Sequence, residues 1–370
     1  MKQKPRIIIS GGGTGGHIFP AVSIANALKK IHPETEILFV GAKDRMEMQR
    51  VPQAGYQIIG LPVKGLIRPL WSPRNIGIII DFIKSKWEVK KVIKEFKPDV
   101  AVGVGGYASA ATLNAAYDLG IPCLIQEQNS FAGLTNKTLA KKASKICVAY
   151  EGMERFFPAE RILLTGNPVR QNLILPTLSK ENAIKEFGFS VNKPTILLIG
   201  GSLGARTLNN SVLHALEQIK KSSVQFIWQT GSYYKEHIAQ ELGKHGIPEN
   251  LHVTDFIRSM DMAYKAADLV ISRAGASSIS EICLLGKPSI LVPSPNVSED
   301  HQTHNAMALV NKNAALIVKD TEAEEQLITM AINTIKDTNL LKTLGDNAKS
   351  MAFLDSDIKI AEEILQLIKK

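Results

Sequence analysis

Two stretches of the chain share one pattern of apolar and small residues. In the first, Ile7-Ile8-Ile9-Ser10 runs into Gly11-Gly12-Gly13-Thr14-Gly15-Gly16-His17, and apolar residues then recur at helical spacing to Leu28. In the second, Ile196-Leu197-Leu198-Ile199 runs into Gly200-Gly201-Ser202-Leu203-Gly204-Ala205-Arg206, with a similar stretch to Leu216. The strand and turn positions are offset by 189 residues, about half the chain. A short continuous apolar run, a glycine-rich turn and a helical period describe a buried strand feeding a helix. Its recurrence predicts two similar α/β domains, each opening with this unit.

Further apolar runs fall at Glu36–Val40, Val100–Val104, Cys123–Gln126, Lys145–Ala149, Gln225–Gln229, Leu269–Ser272 and Ser289–Pro293, with helical periodicity between many of them. This alternation predicts parallel sheets covered on both faces. Gly166-Asn167-Pro168-Val169 is rich in turn formers and reads as the hinge. The expected division is residues 1–168 for the first domain and 169–351 for the second. A terminal helix within 352–370 is expected to pack back on the first.

Composition narrows the class. Of 370 residues, 45% are hydrophobic and 21% charged, which fits a globular chain of two domains and excludes disordered and low-complexity classes. Three cysteines with no CxxC pair exclude a disulfide framework and a zinc ribbon, and fit a reducing compartment. No apolar run approaches the roughly 18 residues of a membrane span. Met1 to Arg6 lead straight into Ile7-Ile8-Ile9, so no secretory signal is expected.

The net charge of +9 invites anionic partners: nucleic acid, phosphates or a lipid surface. Most of it lies between Lys64 and Lys97, where nine basic residues face three acids among Leu66, Ile67, Leu70, Trp71, Ile76, Ile78, Ile79, Ile80, Phe82 and Ile83. Two readings stand. One is an interfacial membrane contact. The other is a single buried helix face with a solvated basic side. Nucleic acid is not expected, because no RNP-like, zinc-finger or helix-turn-helix pattern occurs and aromatics are only 6%.

Glycine turns at helix N-termini offer free backbone N–H groups and a partial positive charge, which suit phosphate. Gly11, Gly13 and Gly16 match GxGxxG, the fingerprint of dinucleotide oxidoreductases. The second strand, however, ends Phe39-Val40-Gly41-Ala42-Lys43, without the acid that pattern requires for the ribose. There is no GxxxxGK[ST]. A third glycine turn follows a strand at Gly103-Val104-Gly105-Gly106-Tyr107.

In Ser272–Glu281 a strand enters small residues, and a helix begins near Ala276 and stops at Gly286 and Pro288. Glu281 shares a face with Ser277 and Ser278. It is either a ribose acceptor or an ordinary helix-surface glutamate. The next strand leads to a polar cluster, Asp300-His301-Gln302-Thr303-His304-Asn305. Cys283 reads as helix core.

Taken together, Gly11–His17, Gly105-Gly106-Tyr107, Glu127-Gln128-Asn129, Thr165–Arg170, Gly200–Arg206 and Ser272–Glu281 resemble the MurG family of bacterial peptidoglycan glycosyltransferases. The resemblance runs in order from the first strand to about residue 320. It implies an α/β protein of the GT-B fold, two Rossmann-like parallel-sheet domains facing across a cleft. It implies an inverting hexosyltransferase that moves GlcNAc from UDP-GlcNAc to the muramoyl 4-hydroxyl of undecaprenyl-diphospho-MurNAc-pentapeptide (lipid I), giving lipid II and UDP. By the same resemblance, the backbone of Phe256 and Ile257 would meet the uracil and Glu281 the ribose. Ser202 with Ala276, Ser277 and Ser278 would hold the diphosphate, and Gln302 would touch the donor sugar. Thr14, Gly15, Gly16, Tyr107, Asn129 and Arg170 would face substrate. Relatives carry paired glutamines where this chain has His301-Gln302, which leaves the role of His301 open.

Inverting transfer needs a base on the acceptor hydroxyl and charge stabilisation on the departing UDP. His17, at the end of the first glycine turn, is a candidate base, a substrate-positioning group or a structural histidine. Glu127 is the rival base. No tightly bound metal or other cofactor is expected, with Mg²⁺ at most loosely associated with UDP. Asp355-Ser356-Asp357 has the DxD form of metal-dependent glycosyltransferases but reads better as a helix start.

A lipid-borne acceptor favours the membrane reading of the basic stretch, with Lys137, Lys141, Lys142 and Lys145 extending it. The resemblance thus places the chain in the cytoplasm, peripheral on the cytoplasmic face of the plasma (inner) membrane. An anionic membrane surface and other cell-wall synthesis proteins would be its partners. The rival activities are glycosyl-diacylglycerol synthesis, nucleotide-sugar epimerisation and a non-catalytic nucleotide-sugar or membrane-binding module.

Overall fold

The computed structural model of the chain describes residues 4–65, 67, 71–169, 173 and 178–368. The chain divides into two compact units, Met1–Val169 with Phe353–Lys370, and Arg170–Ala352.

The first unit runs β1 (Arg6–Ser10), α1 (Gly15–Ile31), β2 (Glu36–Ala42), α2 (Glu47–Gln53), β3 (Gln57–Leu61), α3 (Arg74–Phe96), β4 (Val100–Gly103), α4 (Tyr107–Asp118), β5 (Cys123–Glu127), α5 (Leu134–Leu139), β6 (Lys145–Val148) and β7 (Ile162–Leu164). The strands form one parallel sheet in the order β3-β2-β1-β4-β5-β6-β7. Ile8 lies between Leu38 of β2 and Ala101 of β4. Ile7, Ile8 and Ile9 are all fully buried because both faces of the sheet are covered. Ile8 packs with Val89 and Ile93 of α3 and with the alanines of α4, while Ile7 and Ile9 pack with Ile24 and Leu28 of α1.

The second unit runs α6 (Lys180–Glu186), β8 (Thr195–Ile199), α7 (Arg206–His214), α8 (Leu216–Lys221), β9 (Gln225–Gln229), α9 (Lys235–His245), β10 (Leu251–Thr254), α10 (Met260–Ala266), β11 (Leu269–Ser272), α11 (Ala276–Leu285), β12 (Ser289–Leu291), α12 (His301–Val310), β13 (Leu316–Ile317), α13 (Asp320–Thr334) and α14 (Thr338–Ser350). Its sheet is also parallel, in the order β10-β9-β8-β11-β12-β13. The chain then returns to the first unit with α15 (Ser356–Ile368), whose Ile360, Ala361 and Ile364 join the core beside α1. In each sheet the strand order reverses once, between β1 and β4 and between β8 and β11. Ligands of open α/β sheets bind beyond the strand C-ends at such a point.

The apolar runs found in the sequence correspond to the interior strands. The strands they leave out are β3, β7, β10 and β13, the outermost strand on each side of each sheet. These edges are half-solvated: β3 alternates exposed and covered positions, and β13 has two residues of intermediate burial. They therefore lack the continuous apolar run of a strand covered on both faces.

Helix α3 inverts the usual pattern. The residues it buries are Asn75, Ser85, Val89 and Ile93. Ile76, Ile79, Ile80, Ile83 and Trp87 are exposed, and they recur at helical spacing along one face. The reading of this stretch as a buried apolar face is thereby corrected. The covered side already packs on the small residues of α4, which leaves the isoleucines outside. Leu66, Arg68 and Leu70 of the same stretch lie outside the described residues. All three cysteines are buried, and burial pushes each thiol up to about 12. Cys283 therefore belongs to the core of α11 rather than to any nucleophilic chemistry.

Candidate active site

In the first unit the turn from β1 to α1 carries the central group. Gly13 adopts φ +86, a region open to glycine at no steric cost. A Cβ on Gly11 would fall 2.1 Å from the Val104 side chain, and one on Gly12 would fall 2.0 Å from Glu47 Oε1. His17 lies in the first turn of α1, with its N–H on Thr14 O at 3.1 Å. Its Nδ1 is 2.9 Å from Gly12 O. A carbonyl oxygen only accepts, so Nδ1 carries the proton of this bond and Nε2 is left as the accepting nitrogen. Nε2 lies against Gly105, where an added Cβ would come within 2.7 Å of it. His17 thus joins the glycine turns after β1 and after β4, where the strand order reverses. Around it Thr14 and Gly16 are exposed and Gly15 is partly so. Tyr107 heads α4, 43% exposed, with its ring beside Gly65.

Glu127, at the end of β5, is 2% exposed. Oε1 accepts from Asn129 N (3.0 Å) and Asn129 Nδ2 (3.2 Å), and Oε2 accepts from Gly133 N (3.1 Å) and Asn136 Nδ2 (2.9 Å). Four donors on one carboxylate make Glu127 the organiser of the loop that carries Asn129. As a base it would first have to give up those bonds. Next to it, Asn167 Nδ2 donates to Gln128 O at 2.9 Å, and Gln128 Nε2 donates to Val104 O at 2.8 Å. The Gly166–Val169 segment is therefore bonded to the turn after β4. Arg170 lies outside the described residues.

In the second unit the turn from β8 to α7 is braced by a neutral amide. Gln229, 3% exposed, donates from Nε2 to Gly201 O at 3.0 Å and accepts from Ile257 N at 2.9 Å. It ties the glycine turn to the Phe256–Ile257 loop, where Phe256 is exposed and Ile257 buried. Of the Phe256 and Ile257 backbone groups expected to meet the uracil, the Ile257 N–H is already engaged by this bond. Ser202 is exposed at the tip of the turn.

Helix α11 follows β11, with Ala276, Ser277 and Ser278 partly exposed in its first turn. Glu281, one turn on, is 5% exposed and accepts from Tyr264 Oη at 3.1 Å. The helix-surface reading of Glu281 is therefore wrong: α10 brings Tyr264 over it. Gln302 Oε1 accepts from Ser294 N at 2.9 Å, and His301 opens α12.

Helix ends bear on these places. Helices α1, α4, α7 and α11, which start at the order reversals, have no side-chain cap bond and no acid in the first turn, and α5 and α12 share the feature. By contrast α6 and α14 are capped by Ser179 and Asp337, and α13 carries Asp320 and Glu322 in its first turn. Uncapped first turns keep N–H groups for an incoming anion, although ahead of α1 the Gly13 N–H is already taken by the Glu47 carboxylate.

Three residues of this framework, Glu47, Gln229 and Tyr264, are not apparent from sequence motifs. The one available signal was negative: Gly12 and Gly41 leave space that some side chain must fill, and Glu47 fills both.

The described residues hold no group of three or more His, Cys, Asp or Glu side chains able to bind a metal ion. Asp355 and Asp357 mark the start of α15, where Asp357 Oδ1 accepts from Ile358 N at 3.0 Å. No described helix is long and apolar enough to cross a membrane.

Two parallel-sheet α/β units with glycine turns at their order reversals define a GT-B type glycosyltransferase fold. Residues 7–148 match the glycosyltransferase family 28 N-terminal domain and residues 195–360 its C-terminal domain. A UDP-N-acetylglucosamine--N-acetylmuramyl-(pentapeptide) pyrophosphoryl-undecaprenol N-acetylglucosamine transferase of Phocaeicola vulgatus is 60% identical over 370 residues, covering 100% of this chain and 98% of that protein. One of the same name from Bacteroides fragilis is 58% identical over 367 residues, 99% and 96% of the two chains. The crystal structure of Acinetobacter baumannii MurG superposes with a TM-score of 0.78 at 29% identity, covering 98% and 99%. The chain belongs to the MurG family of bacterial N-acetylglucosaminyltransferases. The crystal structure of a UDP-N-acetylglucosamine 2-epimerase shares the fold at TM-score 0.64, but at 14% identity the likeness stops there.

Proposed function

We propose that the chain transfers GlcNAc from UDP-GlcNAc to the 4-hydroxyl of the MurNAc residue of lipid I, giving lipid II and UDP, with inversion at the anomeric carbon. The observation that carries the chemistry is His17, held by Gly12 O so that Nε2 is the accepting nitrogen at the order reversal of the first sheet. Nε2 takes the proton of the acceptor hydroxyl. The freed oxygen pair attacks the anomeric carbon, the bond from that carbon to the diphosphate oxygen breaks, and its electrons leave with UDP. The uncapped N-termini of α7 and α11, with Ser202, Ala276, Ser277 and Ser278, meet the growing charge on the diphosphate. Glu281 holds the ribose, braced by Tyr264. Glu127 sets Asn129 toward the acceptor, and Gln302 and His301 attend the donor sugar. Any Mg²⁺ travels with UDP rather than on a protein ligand set.

The acceptor is reached at a membrane surface, on the cytoplasmic face. The exposed Ile76, Ile79, Ile80, Ile83 and Trp87 supply apolar contact, and Lys84 and Lys91 beside them are exposed. Lys86 and Lys90 both pair with Asp118, at 2.7 and 2.8 Å, so they contribute less free charge to that surface. Lys137 lies over the rings of Phe131 and Phe156, Lys142 donates to Asn114 Oδ1, and Lys145 pairs with Glu363. These three serve the fold first.

UDP release from UDP-GlcNAc, UDP-glucose and UDP-galactose, each with and without a short-chain lipid I analogue, tests the reaction. Release with UDP-GlcNAc plus that acceptor, together with a disaccharide product, is expected. Release with diacylglycerol instead, or epimerised sugar without acceptor, would replace this reading by one of its rivals. Binding to vesicles containing phosphatidylglycerol, weakened in an Ile79→Ser, Ile83→Ser, Trp87→Ser variant, tests the surface.

A further inference from the structure

The peptide group joining Gly12 to Gly13 is hydrogen-bonded at both ends. Its carbonyl accepts from His17 Nδ1 at 2.9 Å. Its N–H, on Gly13, donates to Glu47 Oε2 at 3.0 Å. We propose that Glu47 is a positioning residue that acts on His17 through this one peptide group. The proposal rests on the reading of His17 as the base.

Glu47 is built into the turn. It is 0% exposed, and its other oxygen, Oε1, accepts from Ala42 N at 3.0 Å, at the end of β2. Both oxygens accept from backbone N–H, which is the bonding of an ionised carboxylate. Among the described residues no cation pairs with it. The space it occupies exists because Gly12 and Gly41 lack side chains: a Cβ on Gly41 would fall 2.5 Å from Glu47 Cγ. An unpaired buried charge is costly, and a neutral side chain of similar shape would fill the same space more cheaply. A charge retained there acts on whatever shares its bonds.

What shares them is a conjugated amide. A carboxylate at the N–H end draws positive character onto nitrogen and pushes electron density onto the carbonyl oxygen, so the two hydrogen bonds strengthen each other. A stronger acceptor at Gly12 O holds the His17 proton on Nδ1 and keeps the Nε2 lone pair available. It also supports the positive charge the ring acquires when Nε2 collects the hydroxyl proton. In the Ser-His-Asp arrangement a carboxylate does this by touching the imidazole directly. Here one peptide intervenes, and the carboxylate fixes the glycine turn at the same time.

The test uses the full chain with UDP-GlcNAc and a short-chain lipid I analogue. Glu47→Gln keeps the shape and removes the charge. The expected result is a fall in kcat of about 10- to 1,000-fold, less than the about 10⁴ lost when a carboxylate bonded directly to the imidazole is neutralised. KM for both substrates and UDP-GlcNAc affinity stay within about twofold, because uniform binding is untouched. In a His17→Ala background the same change costs nothing further, because the residue it acts through is gone.

A folded Glu47→Gln enzyme with wild-type kcat, or a loss that adds in full to that of His17→Ala, overturns the proposal and leaves His17 as base. Wild-type turnover in His17→Ala overturns the base reading itself, and the proposal with it. Nitrogen-15 spectra of the histidine ring give a readout in the unmodified enzyme, whether or not the glutamine variant folds. Neutral His17 is expected with its proton on Nδ1, shifting toward Nε2 in Glu47→Gln. A proton on Nε2 in the wild-type enzyme overturns the proposal.

Discussion

The turn after β1 and the turn after β8 arise from the same sequence unit, yet they are equipped in opposite ways. The first has a buried carboxylate, Glu47, on its Gly13 N–H and a histidine on its Gly12 carbonyl. The second is braced by Gln229 and carries no acid at the turn; the buried carboxylate of that unit, Glu281, lies elsewhere, one turn inside α11 after β11. A negative charge at a glycine turn works against holding a second anion there, and a neutral brace leaves the helix N-terminus positive. On the proposed reading, one motif serves proton transfer in the first unit and suits a diphosphate in the second. The difference lies in what fills the space behind the glycines, not in the glycines.

The strongest way to break this comparison is His17→Ala. Turnover is expected to fall by about 10²- to 10⁴-fold, while calorimetric affinity for UDP-GlcNAc stays unchanged. Affinity falling in parallel with turnover would mean the two turns do not divide the work. Glu281→Gln should do the reverse, weakening UDP-GlcNAc binding roughly ten- to a hundredfold through loss of a charged hydrogen bond. Unchanged titrations would remove Glu281 from the ribose.

Gly12→Ala tests the packing behind the first turn. The new Cβ overlaps the Glu47 carboxyl, so about 1–3 kcal/mol of stability should go in denaturant melts. Gly275→Ala, at the N-cap of α11, meets nothing within 4 Å and has φ −69, so it should stay within about 0.5 kcal/mol of wild type.

The smallest effect belongs to a control at the far end of α4. Lys86 and Lys90 beside Asp118 pull its carboxyl down to about 2 from the ordinary 3.8. A lowered carboxylate pKa stabilises the fold fully above the ordinary value, and that stabilisation fades as pH falls through about 2. Asp118→Asn should thus be slightly less stable near neutral pH, the gap closing below about pH 3 in acid melts. Both turns should keep their function.

Much of this was legible in the chain itself. The repeated units, the interior strands and the helix that stops at Gly286 are local patterns, and each appears where its pattern falls. His17 was legible as a candidate because it ends a glycine turn; the sequence left three roles open, and the structure adds that its Nδ1 lies on Gly12 O. Glu127 looked like an alternative base, and only its four donors recast it as a loop organiser. The apolar stretch at Ile76–Ile83 was ambiguous, because periodicity says that a helix has an apolar face and not whether that face is covered.

The sequence by itself determined two α/β units, the glycine turns at their strand ends and the family, because strands, turns and helix stops are written in residues next to one another. Only the tertiary structure decided which side chains work on those turns. Glu47 reaches Gly13 from 34 positions away, and Gln229 reaches Gly201 from 28. Such bonds depend on how the strands line up in the sheet, and no local pattern encodes the partner. The physical reason is that a buried polar group must find a partner in space, and the order of the strands, rather than of the residues, determines who is near.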